Sequence, residues 1–317
     1  MGRYLATRLV GTIPTLVGVS VLTFLFIRLL PGDAIAARLG TSTVLTPEQL
    51  ASLRSYFGLD LPLPQQYWGW LSSLLHGDAG FSIRTGRPVV VELAQRLPAT
   101  LELAIVGTAI ALAIGLPLGV ASALRPRSRL DLAAQTGGLL GLSMPNFLLG
   151  TLIIYLFSVN LRWMPNTGSY VDFTADPLGN LRLILFPAVT LGVALSAATM
   201  RLTRSAMLDV LAADYVRTAR SKGLGPRIVL TRHALKNALI VVITVVGVQF
   251  GNLLGGAVVV EEVFSIPGIG RMLFTAIVQR DYALVQGGVL AIALLFVGLN
   301  IVIDLLYAYI DPRVRLG

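Results

Sequence analysis

Apolar residues fall in six blocks along the chain, at about Leu9–Leu30, Leu101–Leu124, Leu132–Val159, Ile184–Leu202, Leu239–Val260 and Val285–Ile310. Each block is continuously apolar rather than alternating, and each approaches or exceeds the roughly 20 residues that cross a bilayer core about 30 Å thick. In lipid only helices and closed barrels satisfy their own backbone, and unbroken apolar runs favour helices. The pattern predicts an all-α polytopic membrane protein with six transmembrane helices. An even number of crossings returns the C-terminus to the side of the N-terminus. The first block has one alternative, a cleaved signal peptide, because Ala34-Ile35-Ala36 has the A-x-A form. A leader core runs to only about 7–15 residues, and Arg28 would lie just before the cut, so a retained helix is favoured.

Two polar stretches interrupt the blocks. Residues 31–96 form a proline-containing segment between the first and second spans, in which Thr46-Pro47-Glu48-Gln49 opens a short helix with a hydroxyl N-cap and proline in the first turn. Leu50, Leu53, Tyr56 and Phe57 give that helix one apolar face. Tyr67, Trp68 and Trp70 follow, aromatics of the kind that gather at a membrane–water boundary. The second stretch, 207–236, separates spans four and five. No loop other than 31–96 is long enough for a second globular domain, so residues 1–317 read as one membrane domain.

Composition agrees with a lipid solvent. The chain is 55% hydrophobic and 13% charged, with a mean hydropathy of +0.78, whereas a soluble domain carries about 25% charged residues. The net charge of +9 would suggest nucleic acid in a soluble protein; here its distribution follows the positive-inside rule instead. With a cytoplasmic N-terminus, the inner segments hold fifteen basic and four acidic residues, and the outer ones ten basic and eleven acidic. Both termini are therefore expected inside. Cysteine is absent, which excludes disulfides and thiolate chemistry. The two histidines, His76 and His233, fall in loops on opposite sides of the membrane, so neither a Ser-His site nor a two-histidine metal site is expected, and no catalytic or metal residue is assigned. There is no Gly-Lys pair, hence no P-loop for ATP.

The inner stretch reads MLDVLAADYVRTARSKGLGPRIVLTRHALK from Met207 to Lys236. Asp209 and Asp214 suit the amino end of a helix, and Arg217, Arg220 and Lys222 suit its carboxyl end. Gly223 can supply a left-handed cap, and Pro226 prevents continuation. Leu208, Leu211 and Tyr215 are expected on one face. These features predict a short amphipathic cytoplasmic helix, for which a purely interfacial, lipid-held role is the alternative.

The run Asp214-Tyr215-Val216-Arg217-Thr218-Ala219-Arg220-Ser221-Lys222-Gly223-Leu224 resembles the DYxRTARAKGL form of the EAA loop in dipeptide and oligopeptide ABC permeases. Arg217-Thr218-Ala219 replaces the general Glu-Ala-Ala, and Arg232–Ala238 replaces the later I-x-L-P; both departures are similar to the peptide subfamily. Further similar pieces include Leu30-Pro31-Gly32-Asp33, His76-Gly77-Asp78, Leu97-Pro98-Ala99-Thr100-Leu101-Glu102-Leu103, Val260-Glu261 with Pro267-Gly268, and Asp311-Pro312-Arg313, in family order along nearly the whole chain.

The resemblance implies a type I ABC importer permease in a bacterial inner membrane. Its implied partners are a second homologous permease, two cytoplasmic ATPase subunits or one of each of two kinds, and an external binding protein, periplasmic or lipid-anchored. The chain itself would need no cofactor; ATP and magnesium would sit on the ATPases. Asp214, Tyr215, Arg217, Thr218, Ala219, Lys222 and Gly223 are the implied coupling residues, with Ala219 and Gly223 allowing close approach to the ATPase. Asn146, Ser196, Thr199, Gln249 and Asn252 are polar groups in the spans that could line a passage or serve as helix-packing contacts. Peptide is the expected substrate, with glutathione, nickel complexes and oligosaccharides as alternatives. A secondary transporter driven by an ion gradient is the rival class; it would need ionisable groups inside the spans, where Glu102 and Asp304 are the candidates.

Overall fold

The computed structural model describes residues 2–29, 46, 48, 49, 52, 60–82, 84–163, 168 and 170–310. The apolar runs become helices: α1 (Gly2–Leu29), α3 (Val89–Leu124), α4 (Arg129–Ser143), α5 (Asn146–Ile153), α6 (Pro177–Ala212), α8 (Lys236–Val263) and α10 (Tyr282–Ile310), with shorter α2 (Leu63–Leu75), α7 (Asp214–Ser221) and α9 (Ile269–Val278) between them. Two π-helical segments follow α5 and precede α8, at Ile154–Asn160 and Val229–Leu235. The helix ends are satisfied locally. Ser128 caps α4 by accepting from the Asp131 amide, and Asp176 caps α6 by accepting from Gly179, with Pro177 at the first position. Thr46 and Gln49 exchange side chain-to-backbone bonds at 3.3 and 3.0 Å, a capping box at the predicted hydroxyl cap. The apolar face expected of Leu50, Leu53, Tyr56 and Phe57 lies outside the described residues.

The chain packs as two compact units, residues 1–98 with 268–297 and residues 99–267 with 298–317. In the first, α1 and α2 meet through aromatic groups: Phe24 lies edge-on to Tyr67 at 5.3 Å, Tyr67 and Ser20 share a 2.8 Å hydroxyl bond, and the Arg28 guanidinium stacks on Phe24 while donating to Gln66. Elsewhere in that unit, Asp281 accepts from the Ser82 hydroxyl at 2.6 Å and from the Leu284 amide at 3.3 Å. It thereby fastens the 77–88 loop to the start of α10. Val89, Ile269, Met272, Leu273 and Val285 fill the adjoining core.

In the second unit α6 is central, with α4, α5 and α8 against it. Its buried side includes Ile184, Ala188, Leu191 and Leu195, packed with Leu103 and Ala111 of α3 and Leu253, Ala257 and Val260 of α8. Helices α3 and α6 approach closely. A Cβ on Gly115 would meet the Ser196 carbonyl oxygen at 2.8 Å, and one on Gly119 the Met200 carbonyl at 2.7 Å. Gly192 faces the Gly107 carbonyl in the same way, at 2.9 Å. Small residues every four positions let these helix backbones nearly touch. The Gly115–Gly119 spacing is thus a seam within the chain, whereas Gly137 and Gly255 have open space where a side chain would stand.

The third apolar run departs from expectation. Leu132–Val159 is not one straight helix but α4 and α5 bent by 99° at Met144-Pro145. Proline disfavours the α conformation of the residue before it, and Met144 is extended (φ −87°, ψ 119°). Pro14, Pro117 and Pro187, by contrast, stay inside continuous helices. Among the described residues three helices are long and apolar enough to cross a membrane, or up to five with each bent pair counted as one; Val10–Phe26 of α1 is a shorter apolar helix.

The seam makes a prediction. Gly119→Leu should lower the chain's stability by about 1–3 kcal/mol through overpacking, seen as a melting shift in detergent. Gly137→Leu should stay within about 0.5 kcal/mol. Equal shifts would refute the assignment of the seam.

Candidate coupling site

Between α6 and α8 the backbone turns sharply at Ala213, which is extended (φ −68°, ψ 147°) and whose carbonyl accepts from the Val216 and Arg217 amides. From there α7 runs to Ser221. At its far end the Gly223 amide bonds the Arg220 carbonyl at 3.0 Å and the Leu224 amide bonds the Ala219 carbonyl at 3.4 Å, with Gly223 at φ +79°. This is a Schellman closure, and the left-handed residue it needs is the glycine foreseen there. A helical turn at Pro226–Ile228 then leads into the π-helical segment and α8.

The break at Ala213 alters the expected face. Asp209, Leu208 and Leu211 belong to α6, not to the short helix, because the extended residue interrupts the helical phase. The buried side of α7 is Val216 (0% exposed) and Ala219 (6%), packed with Val229 of the π-helical segment and Val210 of α6. Ala219 is therefore a contact within the chain. Tyr215 is 45% exposed, and its hydroxyl accepts from the Asn237 side-chain amide at 3.1 Å, tying α7 to the first turn of α8.

The remaining residues of α7 face outward. Asp214 and Arg217 form an ion pair at 3.6 Å with side chains 93% and 77% exposed, a contact worth little to stability. Thr218 is exposed but donates its hydroxyl to the Asp214 carbonyl. Arg220, Lys222 and Gly223 are exposed too, and the basic groups lie at the negative end of the helix dipole. The result is a small helix pinned by two apolar side chains, with a polar, largely cationic outer face. The sequence reading missed Val216, Val229 and Asn237. Asn237 carries no distinctive local signal, since its partner lies 22 residues away.

The polar span residues separate into two kinds. Ser196 and Thr199 are buried and donate to the Val193 and Leu195 carbonyls of their own helix, and Thr199 packs at Gly115. They are packing groups in the seam, the second of the two roles their sequence left open. Asn146, in the first turn of α5 just past the bend, and Gln249 are half-buried. The Asn252 side chain lies outside the described residues.

Two carboxylates in the second unit accept hydrogen bonds from neutral side chains. Glu102 accepts from the Tyr170 hydroxyl and the Asn180 amide, each at 3.0 Å, and Glu261, fully buried, accepts from Thr100 at 2.7 Å. Burial first, and then Glu102, push the Tyr170 phenol above its ordinary range. Glu261 is thus interior, while Glu262 is exposed. The Asp304 side chain lies outside the described residues.

Comparison with known proteins addresses the whole chain. Residues 115–316 match the family model described as binding-protein-dependent transport system inner membrane component, and residues 1–104 match the model of its N-terminal part. A Brucella abortus (strain 2308) protein named for a peptide transport system permease is 42% identical over 99% of both chains. The glutathione transport system permease protein GsiC of Pectobacterium atrosepticum is 44% identical over the same share. A chain of the MetNI methionine ABC transporter in an inward-facing conformation matches with a TM-score of 0.54 at 18% identity, covering 69% of this chain and 96% of that one, a likeness of fold. With both family models matched and close relatives aligned end to end, this chain belongs to the binding-protein-dependent transport system inner membrane components, the multi-pass membrane subunits of ABC importers.

Proposed function

We propose that the chain forms half of an ATP-driven import pathway for short peptides, glutathione among them, and that α7 is the element through which ATPase subunits drive it. The observation that carries this reading is the build of α7. Its apolar side is consumed by Val210, Val216, Ala219 and Val229, so its polar side is free for a partner, and any push on it falls on α6 and α8 together. Fully burying a valine is worth about 1.5–3 kcal/mol, enough for Val216 and Val229 to hold so short a helix in place.

The remaining parts follow from the family. A second homologous permease would complete the pathway, and an external binding protein would deliver the substrate. Two ATPase subunits would hold ATP and magnesium, since this chain has no P-loop sequence of its own. Asn146 and Gln249 are the pathway candidates that the packing leaves half-exposed. The substrate class rests on relatives named for peptide and for glutathione transport.

Gly223 separates docking from folding. No atom lies within 4 Å of where its Cβ would be, so a β-carbon there meets nothing in this chain. Gly223→Ala carries only the left-handed backbone penalty, about 1–2 kcal/mol. Gly223→Trp carries the same penalty and also projects a ring toward a docked ATPase. In proteoliposomes the Trp variant should lose most transport while the Ala variant retains most of it; equal behaviour would count against docking at this corner. Because the chain has no cysteine, Arg217→Cys can also be cross-linked to a cysteine placed in the ATPase, and failure at every tested position would remove the coupling assignment.

The Tyr215–Asn237 bond has its own signature. Tyr215→Phe and Asn237→Ala should each lower the protection of α7 amides by about 0.5–1.5 kcal/mol in hydrogen exchange. The double variant should be no worse than either single one. Additive losses would mean the two side chains act separately.

A further inference from the structure

We propose that the Asp131–Arg204 ion pair is a positioning clamp that carries movement of α7 sideways from α6 into the bent α4–α5 span. The inference rests on the reading of α7 as the element that receives the ATPase's motion. Arg204 lies on α6 about 13 Å along the axis from Ala213, where α7 begins. Its guanidinium grips the carboxylate in two-pronged fashion, Nε to Oδ1 at 2.7 Å and Nη2 to Oδ2 at 2.9 Å.

The carboxylate is a hub. Asp131 stands in the first turn of α4 with its side chain 2% exposed, while that of Arg204 is 23% exposed. Besides Arg204 it accepts from the Arg127 amide at 2.8 Å and from the Gln135 side chain at 2.9 Å. Arg127 sits at φ +61°, a backbone state that an arginine seldom holds without support. The turn joining α3 to α4 is therefore folded around the same carboxylate that Arg204 holds.

Position gives the pair its mechanical meaning. The other close contacts of α4 with α6 shown by its glycines, Gly138 at Met200 and Gly141 at Val193 and Ala197, lie further from α7 along both helices. A displacement entering at the tip of α6 meets the fork first. Those contacts are apolar and can slide; a bidentate charge pair fixed on two short, planar groups resists both sliding and rotation. Beyond α4 lies the 99° bend and then α5, which opens with the half-buried Asn146. The clamp thus links the inner helix to the broken span that carries a pathway candidate.

The test uses the assembled transporter in proteoliposomes with its ATPases and binding protein, and glutathione as the probe. Asp131→Asn combined with Arg204→Gln removes both charges and leaves no unpaired ion; Arg204→Lys keeps the charge and removes the fork. Substrate imported per ATP hydrolysed should fall at least fivefold in the double variant and about twofold in Arg204→Lys, with the Arg217→Cys cross-link to the ATPase retained in both. A pair that served only folding would lower import and hydrolysis together, because both scale with the amount of intact complex. An unaltered ratio therefore overturns the clamp, whatever the yield. Should the double variant fail to assemble, the ratio in Arg204→Lys decides alone. Absence of the cross-link with the pair intact would sink the coupling reading itself, and this inference with it.

Discussion

An eight-residue helix does not persist in water on its own hydrogen bonds, since isolated helices shorter than about 12–15 residues are marginal. The existence of α7 therefore depends on the burial of Val216 and Ala219 against Val229 and Val210. The geometry of the site follows from that contact. It sets which residues of the amphipathic run face inward and which stay exposed. It also binds α7 to both flanking helices, so that the element cannot be moved without moving them. The Schellman closure at Gly223 and the extended Ala213 only define where the helix starts and stops; the valines decide where it sits.

The membrane helices obey a second constraint. In lipid there is no hydrophobic drive between helices, so association rests on close packing and buried polar contacts. The α3–α6 seam shows the first, with glycines facing carbonyl oxygens; the Glu102–Tyr170–Asn180 and Thr100–Glu261 contacts show the second. Ser196 and Thr199 take part in the seam by turning their hydroxyls onto their own helix, which hides their polarity from the neighbouring helix. A polar group in an apolar span is ambiguous until its hydrogen bond is known, and such a bond spans one turn of helix regardless of which way the residue faces.

That ambiguity marks where sequence reasoning stops. Gly223 was legible because only a residue tolerant of positive φ closes a helix in that way, and the Thr46 cap because hydroxyl, proline and acid follow in fixed order. The helical character of the runs was legible for the same reason, a local chemical rule. Pro145 was not. It lies in an apolar run like Pro14, Pro117 and Pro187, and hydropathy on either side of it is alike, so nothing local separates a tolerated kink from a 99° break. Val216 was hidden because Ala213 resets the helical phase, and a face drawn through Leu208, Leu211 and Tyr215 crosses that break. Asn237 and Arg204 were hidden for a third reason. Their partners, Tyr215 and Asp131, are 22 and 73 residues away.

The π-helical segment at Val229–Leu235 explains how one helix serves both sides of the coupling corner. In an α-helix, residues five apart differ by 140° about the axis, since each step turns 100°. Val229 packs against α7, whereas Ala234 packs with Ala206 and Met207 of α6 and Ala123 of α3. Bonding from i to i+5 brings residues five apart close to a common face, so the wider turn sets Val229 and Ala234 at a smaller angle to each other than α winding would. Regular α winding would swing one of them off its partner. The π-helical turn thus lets α7 and the C-terminal end of α6 pack against one segment, which leads directly into α8.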